Sequence, residues 1–138
     1  MLNIPIYIGA AIAEIAGSDR YFVDFFSGCG TLSLPLLNQA AKLLAVEENE
    51  DALGALKAGA NAAGLGGRVT VEARNLFDAP LVAGELAGFD MVILDPPRSG
   101  AASQCRMLAK TKIEKAAMVS CNPASFARDA AILKEGGF

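Results

Sequence analysis

Tyr21-Phe22-Val23-Asp24-Phe25-Phe26-Ser27-Gly28-Cys29-Gly30 joins a short apolar run to a Gly-x-Gly turn. Apart from Asp24, residues 21–25 are of the β-branched and aromatic types that suit a strand, and the glycines beyond them let backbone approach a ligand closely. A strand ending in such a turn fits a parallel sheet with helical crossovers, which requires the rest of the chain to alternate between the two periods. Residues 43–47, 69–73, 89–94 and 116–120 read as further strands. Between them the pattern predicts a helix from a Thr31 cap to about Lys42, with Pro35 one turn inside it, and a helix over 51–63 stopped by Gly64. A short helix over 82–86, a helix after Gly100 and a last helix over 124–135 complete it. Right-handed crossovers then give a doubly wound, mainly parallel α/β sheet.

The 138 residues suffice for about one domain with one core, and 53% hydrophobic with 20% charged residues fits a globular α/β chain. The chain holds no histidine, which excludes histidine-based acid–base catalysis and histidine metal ligation. A net charge of −3 gives no global basic field, so a nucleic-acid substrate would need local positive groups or another domain. Lys110, Lys112 and Lys115 are the best local cluster for a phosphate. Cys29, Cys105 and Cys121 are odd in number and lack a C-x-x-C spacing, which points to a reducing compartment, the cytoplasm, and away from disulfides or zinc. The apolar amino terminus has no basic leader and meets Glu14 too early to span a bilayer. It is expected to be a core-facing helix or a loop, with no membrane partner.

Glu47 closes the second strand seventeen residues after Gly30, where an acid can accept hydrogen bonds from both hydroxyls of a ribose. A Gly-x-Gly alone is only a tight turn; a strand before it and an acid after it favour a nucleotide. Ser33 stands where the dinucleotide fingerprint has its third glycine, so a pyrophosphate is not expected and S-adenosylmethionine is. Asp24 would meet its ammonium group. Asn75, in Asn75-Leu76-Phe77-Asp78 after the third strand, would read its adenine, while Asp78 serves equally well as a helix cap. The fourth strand ends in Asp95-Pro96-Pro97-Arg98-Ser99-Gly100, where two prolines stiffen a rim from which Asp95 and Arg98 project. The fifth delivers Ser120-Cys121-Asn122-Pro123, a turn that opens a helix. A cysteine there is often just a small hydrophobe, but candidate groups at neighbouring strand ends make Cys121 a candidate nucleophile.

Taken in order, Asp24-Phe25-Phe26-Ser27-Gly28-Cys29-Gly30, Val46-Glu47, Asp95-Pro96-Pro97-Arg98 and Ser120-Cys121-Asn122-Pro123 with Ala127-Arg128-Asp129 resemble the catalytic domain of the RNA 5-methyluridine methyltransferases, over about residues 6–138. The resemblance implies a Rossmann-like class I S-adenosylmethionine-dependent methyltransferase fold. It also implies a bacterial enzyme that methylates carbon 5 of a uridine in ribosomal or transfer RNA, with the base flipped out or presented in a loop. Cys121 would be the nucleophile that adds to carbon 6. Asp24, Phe26, Ser27, Gly28, Gly30, Glu47, Asn75 and Asp95 would contact the cofactor, and Pro96, Arg98 and Asn122 the substrate, with no metal.

The chain departs from that pattern in three places. It has no Gln in the segment before the first strand, and its residues 1–138 are expected to fall short of the family's Glu general base and of its amino-terminal RNA-binding barrel. The expectation is one catalytic domain over residues 1–138, shortened at both ends and lacking the final strand pair. The strand over 116–120 would then carry an unpaired apolar edge, which predicts a homo-oligomer through that edge. Two other readings are an RNA 5-methylcytidine methyltransferase and an S-adenosylmethionine-binding remnant without turnover. Ser99 and Gly100 stand where the 5-methylcytidine enzymes often place a cysteine. Cys29 is expected beneath the cofactor, and Arg128 with Asp129 as a local helix-surface or capping pair.

Overall fold

Five short strands line up side by side in the computed structural model, which describes residues 4–138. They are β1 (Tyr21–Phe25), β2 (Lys42–Glu47), β3 (Val69–Ala73), β4 (Met91–Leu94) and β5 (Lys115–Met118), in the spatial order β3-β2-β1-β4-β5. Every neighbouring pair is parallel. The chain steps outward from β1 through β2 to β3, returns to β4 beside β1, and steps outward again to β5. The order therefore reverses at β1, and the crevice above the carboxyl ends of β1 and β4 is the place where such sheets bind ligands.

The helices α1 (Ile4–Ala16), α2 (Glu50–Ala62), α3 (Ala102–Leu108) and α4 (Pro123–Glu135) supply the two outer layers. Alternation along the strands divides the core accordingly. Phe22, Met91 and Ile93 face one cluster with Ile12 and Leu56, while Val23, Phe25, Val92 and Leu94 face another with Cys105, Leu108 and Leu133. All four residues of β4 are fully buried, as its continuous apolar run requires of a strand covered on both faces. The apolar amino terminus forms α1, which buries Ile12 and Ala16. Met1, Leu2 and Asn3, part of the same expectation, lie outside the described residues. Among the described residues no helix is long and apolar enough to cross a membrane.

Two expected helices are absent. Instead of a helix over 31–42 there is a 3-10 turn over Leu34–Asn38, and β2 already begins at Lys42. Pro35 supplies no N–H at the start of that turn, and the Arg68 guanidinium takes up the Leu37 and Ala40 carbonyls (2.9 and 3.3 Å) that a helix would have bonded internally. Residues 82–86 form turns, because Gln104 fixes both the N–H and the carbonyl of Leu81 (2.8 and 3.0 Å) and so holds the segment in a buried non-helical shape. With no helix following it, Asp78 caps none. Strand β4 starts at Met91 rather than Phe89, since Asp90 turns its carboxylate onto the Arg20 and Tyr21 N–H groups (3.1 and 3.0 Å).

β5 pairs only with β4, so its other side is a sheet edge among the described residues. An apolar groove of about 620 Å³ runs along that edge between α1 and α4, past Ile8, Ile15, Ala117, Phe126 and Leu133.

Candidate functional site

The carboxyl end of β1 carries the first part of the site. Phe26 holds φ at +59°, an uncommon setting for a bulky residue that stores about 1–3 kcal/mol of strain and is found chiefly where structure over-determines the backbone. Gly30 is obligatory for packing as well as conformation: at φ +88°, a Cβ there would sit 2.9 Å from Leu34 and Leu56. Between them, the Gly28 N–H donates to Glu47 Oε2 (3.1 Å). The other oxygen of Glu47 accepts from the Glu48 and Asn49 N–H groups (3.0 and 3.1 Å), so three backbone donors aim this carboxylate. A carboxylate offers about four acceptor positions, which leaves one for a ligand.

Asp24, between Ala45 and Ile93 in the middle of the sheet, is 1% exposed, and neither of its carboxylate oxygens has a hydrogen-bond partner. Burial pushes its carboxyl up to about 7; the Ser33 hydroxyl beside it opposes the shift without closing a hydrogen bond of good geometry, and Asp95 and Glu47 add to it. The Ser27 and Ser33 hydroxyls are buried and equally unpartnered. Buried polar groups are nearly always satisfied, so these four unpartnered oxygens after and within β1 mark the segment as a candidate for a ligand rich in donors and positive charge. Asp95 keeps an exposed face, yet the walls around its carboxyl desolvate it enough to raise its pKa as well.

A cavity of about 370 Å³ lies beyond Glu47, bounded by Phe26, Phe77, Arg74, Leu76, Pro96 and Asp95 among others. The Phe26 and Phe77 rings meet at 5.6 Å and 52°, making an aromatic wall for a flat group. Asn75 was expected to face that group, but its side chain is committed elsewhere. Its Oδ1 accepts from the Phe77 and Asp78 N–H groups (2.9 and 3.3 Å), and its Nδ2 donates to Glu48 (3.3 Å). It shapes the turn that presents Phe77, a lining residue that sequence reasoning missed. Its exposure, 46%, shows only in the fold, where an aromatic beside a strand end is left out of the core.

Cys121 sits in the turn between β5 and α4, exposed, and lines an open cleft with Ile8, Val119, Pro123 and Phe126. Asn122 caps α4 by accepting from the Ala124 N–H (3.0 Å) and donates its Nδ2 to the Arg98 carbonyl (3.0 Å), so both its polar atoms are engaged within the chain. Arg98 is exposed, and among the described residues its guanidinium has no hydrogen-bond or ion-pair partner. Cys105 is buried with its thiol pushed up to about 12 by burial and by Asp129, so it is no nucleophile. Cys29 is exposed in the glycine loop, with its sulfur 3.7 Å from the Thr31 hydroxyl. The lysine cluster is also misplaced for the site. Lys115 opens β5 and Lys110 and Lys112 precede it, at the opposite end of the sheet from Cys121. Among the described residues, no group of His, Cys, Asp or Glu is arranged to hold a metal ion.

Parallel sheet order, glycine loop and acid at the end of β2 together define the Rossmann-like fold of the class I S-adenosylmethionine-dependent methyltransferases. The chain belongs to the family described as conserved hypothetical protein 95, whose model matches residues 10–133. It is 44% identical over 133 residues to an uncharacterized RNA methyltransferase of Agrobacterium fabrum, covering 93% of this chain and 32% of that protein. It is 37% identical over 134 residues to the 23S rRNA (uracil(1939)-C(5))-methyltransferase RlmD of Halomonas elongata, covering 96% of this chain and 27% of that one. Among solved structures, it superposes with a TM-score of 0.80 and 25% identity on a Pyrococcus abyssi tRNA (uracil-54, C5)-methyltransferase in complex with S-adenosyl-L-homocysteine, covering 94% of this chain and 31% of that one. The chain thus spans about a third of the length of the curated relatives it matches.

Proposed function

We propose that this chain is the cofactor-binding and nucleophile-bearing core of a cytoplasmic RNA methyltransferase acting on carbon 5 of a uridine in ribosomal or transfer RNA. The observation that carries the reading is the placement of Cys121: an exposed thiol at the carboxyl end of β5, next but one to the strand whose end holds the orphaned Asp24 carboxylate.

The residues fit S-adenosylmethionine. Asp24 with the Ser27 and Ser33 hydroxyls suits its ammonium group, the free acceptor position of Glu47 suits its ribose, and Phe26 with Phe77 suits its adenine. When bound, the cofactor supplies an electrophilic methyl group on a sulfonium. Asp95, beside Asp24 at the neighbouring strand end, adds negative potential toward that positive charge.

Carbon 5 of uracil is a weak nucleophile, and the Cys121 thiolate overcomes this by bonding to carbon 6. The electron pair of the 5,6 double bond moves into an enolate, which makes carbon 5 able to take the methyl group. Loss of the carbon 5 proton to a base then restores the double bond, and the cysteine leaves as thiolate. Pro96 and Arg98 form the rim against which the base rests, with the Arg98 guanidinium turned to solvent where an RNA phosphate or the uracil carbonyls can meet it. Asn122 shapes the turn that carries the nucleophile.

Transfer of labelled methyl from S-adenosylmethionine to 23S rRNA and tRNA transcripts tests the reading. The expected product is 5-methyluridine, abolished by Cys121→Ala. Label at another atom, or full activity in Cys121→Ala, overturns it.

A further inference from the structure

Four side chains of α4 and its cap bond to the 95–101 loop. Asn122 Nδ2 and Ser125 Oγ both donate to the Arg98 carbonyl (3.0 and 2.8 Å), and Arg128 donates to the Ser99 carbonyl (2.8 Å). Asp129 Oδ2 accepts from the Ala101 N–H (2.6 Å). Its other oxygen is held by Arg128 through Nε and a terminal nitrogen (3.0 and 2.9 Å), so a carboxylate with no exposed surface is fully paired. Gly100 completes the fit. Its φ is +81°, and a Cβ there would run into the Arg128 guanidinium and the Asp129 carboxylate. Every residue from Arg98 to Ala101 is therefore held by, or shaped to, one stripe of α4, with residues 122, 125 and 129 at the spacing of a single helix face.

Arg98 and Cys121 reach the site from different strands. The last sheet bond between those strands is the Val119 N–H to the Leu94 carbonyl (2.8 Å), which leaves both loops beyond the reach of the ladder. Past that point, the α4 stripe fixes one loop against the other.

We infer that Asp129, with Ser125 and Arg128, positions the reacting groups: the stripe holds the Arg98 rim at a set distance from Cys121, so that a base resting on the rim offers carbon 6 to the sulfur. Asp129 touches neither substrate nor cofactor and acts through the loop it holds. The inference rests on the uridine carbon 5 reading above. Reaction rates depend steeply on such placement, and an error of about 1 Å lowers them by about 100-fold.

Asp129→Asn and Ser125→Ala in the full chain test it by two readouts. In hydrogen exchange, both variants are expected to speed the amides of residues 98–101 and also those of 119–122, while residues 26–30 keep the wild-type rate. In kinetics, kcat is expected to fall by about 100-fold for Asp129→Asn and less for Ser125→Ala, with S-adenosylhomocysteine binding unchanged. Faster exchange confined to 98–101, or an unchanged kcat, overturns the inference. If Asp129→Asn does not fold, Ser125→Ala decides by the same readouts. If Cys121→Ala methylates like wild type, the uridine reading fails, and the exchange at 119–122 still decides whether the stripe couples the two loops.

Discussion

The two halves of the site treat their polar groups in opposite ways. At the end of β1, the Asp24 carboxylate and the Ser27 and Ser33 hydroxyls are buried without partners. At the ends of β4 and β5, the equally buried Asp129 has both oxygens engaged, and Asn122, Ser125 and Arg128 bond into the same loop. The first half leaves its buried polar groups unpartnered; the second pairs all of its own. A cofactor that arrives and leaves each turnover calls for the former, and a nucleophile that must meet a base in one geometry calls for the latter.

Asparagine in place of each buried aspartate puts this difference to its sharpest test. Unfolded Asp24 releases its proton near 3.8 and the folded one at about 7, so between those values the native state holds the extra proton. Stability is then fullest below about 3.8 and falls as pH rises through 7, by at most about 4 kcal/mol. Asp24→Asn is expected to remove that slope, raise ligand-free stability at pH 8 by a large part of it, and weaken S-adenosylmethionine binding. Urea titrations across pH check the slope; an Asn variant that is less stable at pH 8 would break the comparison. Asp129→Asn is expected to do the reverse, costing about 2 kcal/mol of stability, a figure kept low because Arg128 is half exposed. Stabilisation by that substitution would show the second half to be no better satisfied than the first. The smallest effect concerns the aromatic wall: Phe77→Ala is expected to weaken S-adenosylhomocysteine by about 1 kcal/mol in calorimetry and leave stability near wild type. An unchanged affinity would place the adenine elsewhere.

Strand positions and sheet class were legible because β1, β2 and β4 are apolar runs whose burial is dictated locally. The failures lie where distant residues intervene. Arg68 replaces helix bonds for the segment after the glycine loop, and Gln104 holds Leu81 from 23 residues away. The site follows the same division. Glu47 and the glycine loop could be read from spacing, because a strand end and its turn are a local unit. Arg128 and Asp129 were expected to serve their own helix. They do pair with each other, and beyond that pair Arg128 and Asp129 reach the loop after β4, 29 and 28 residues back, a relation no periodicity encodes. Asn75 shows how local bonding competes with such a reading, since Asn at a turn bonds its own backbone as readily as a ligand.

In the proposed reaction Cys121 attacks carbon 6 of a uridine. RNA carrying 5-fluorouridine, mixed with the protein and S-adenosylmethionine, tests it most directly, because fluorine at carbon 5 cannot leave as a proton does and the adduct is trapped. The expected product is a denaturant-resistant protein–RNA complex whose mass maps to the peptide containing Cys121. A complex mapping to Cys29, or one that persists in Cys121→Ala, would contradict it.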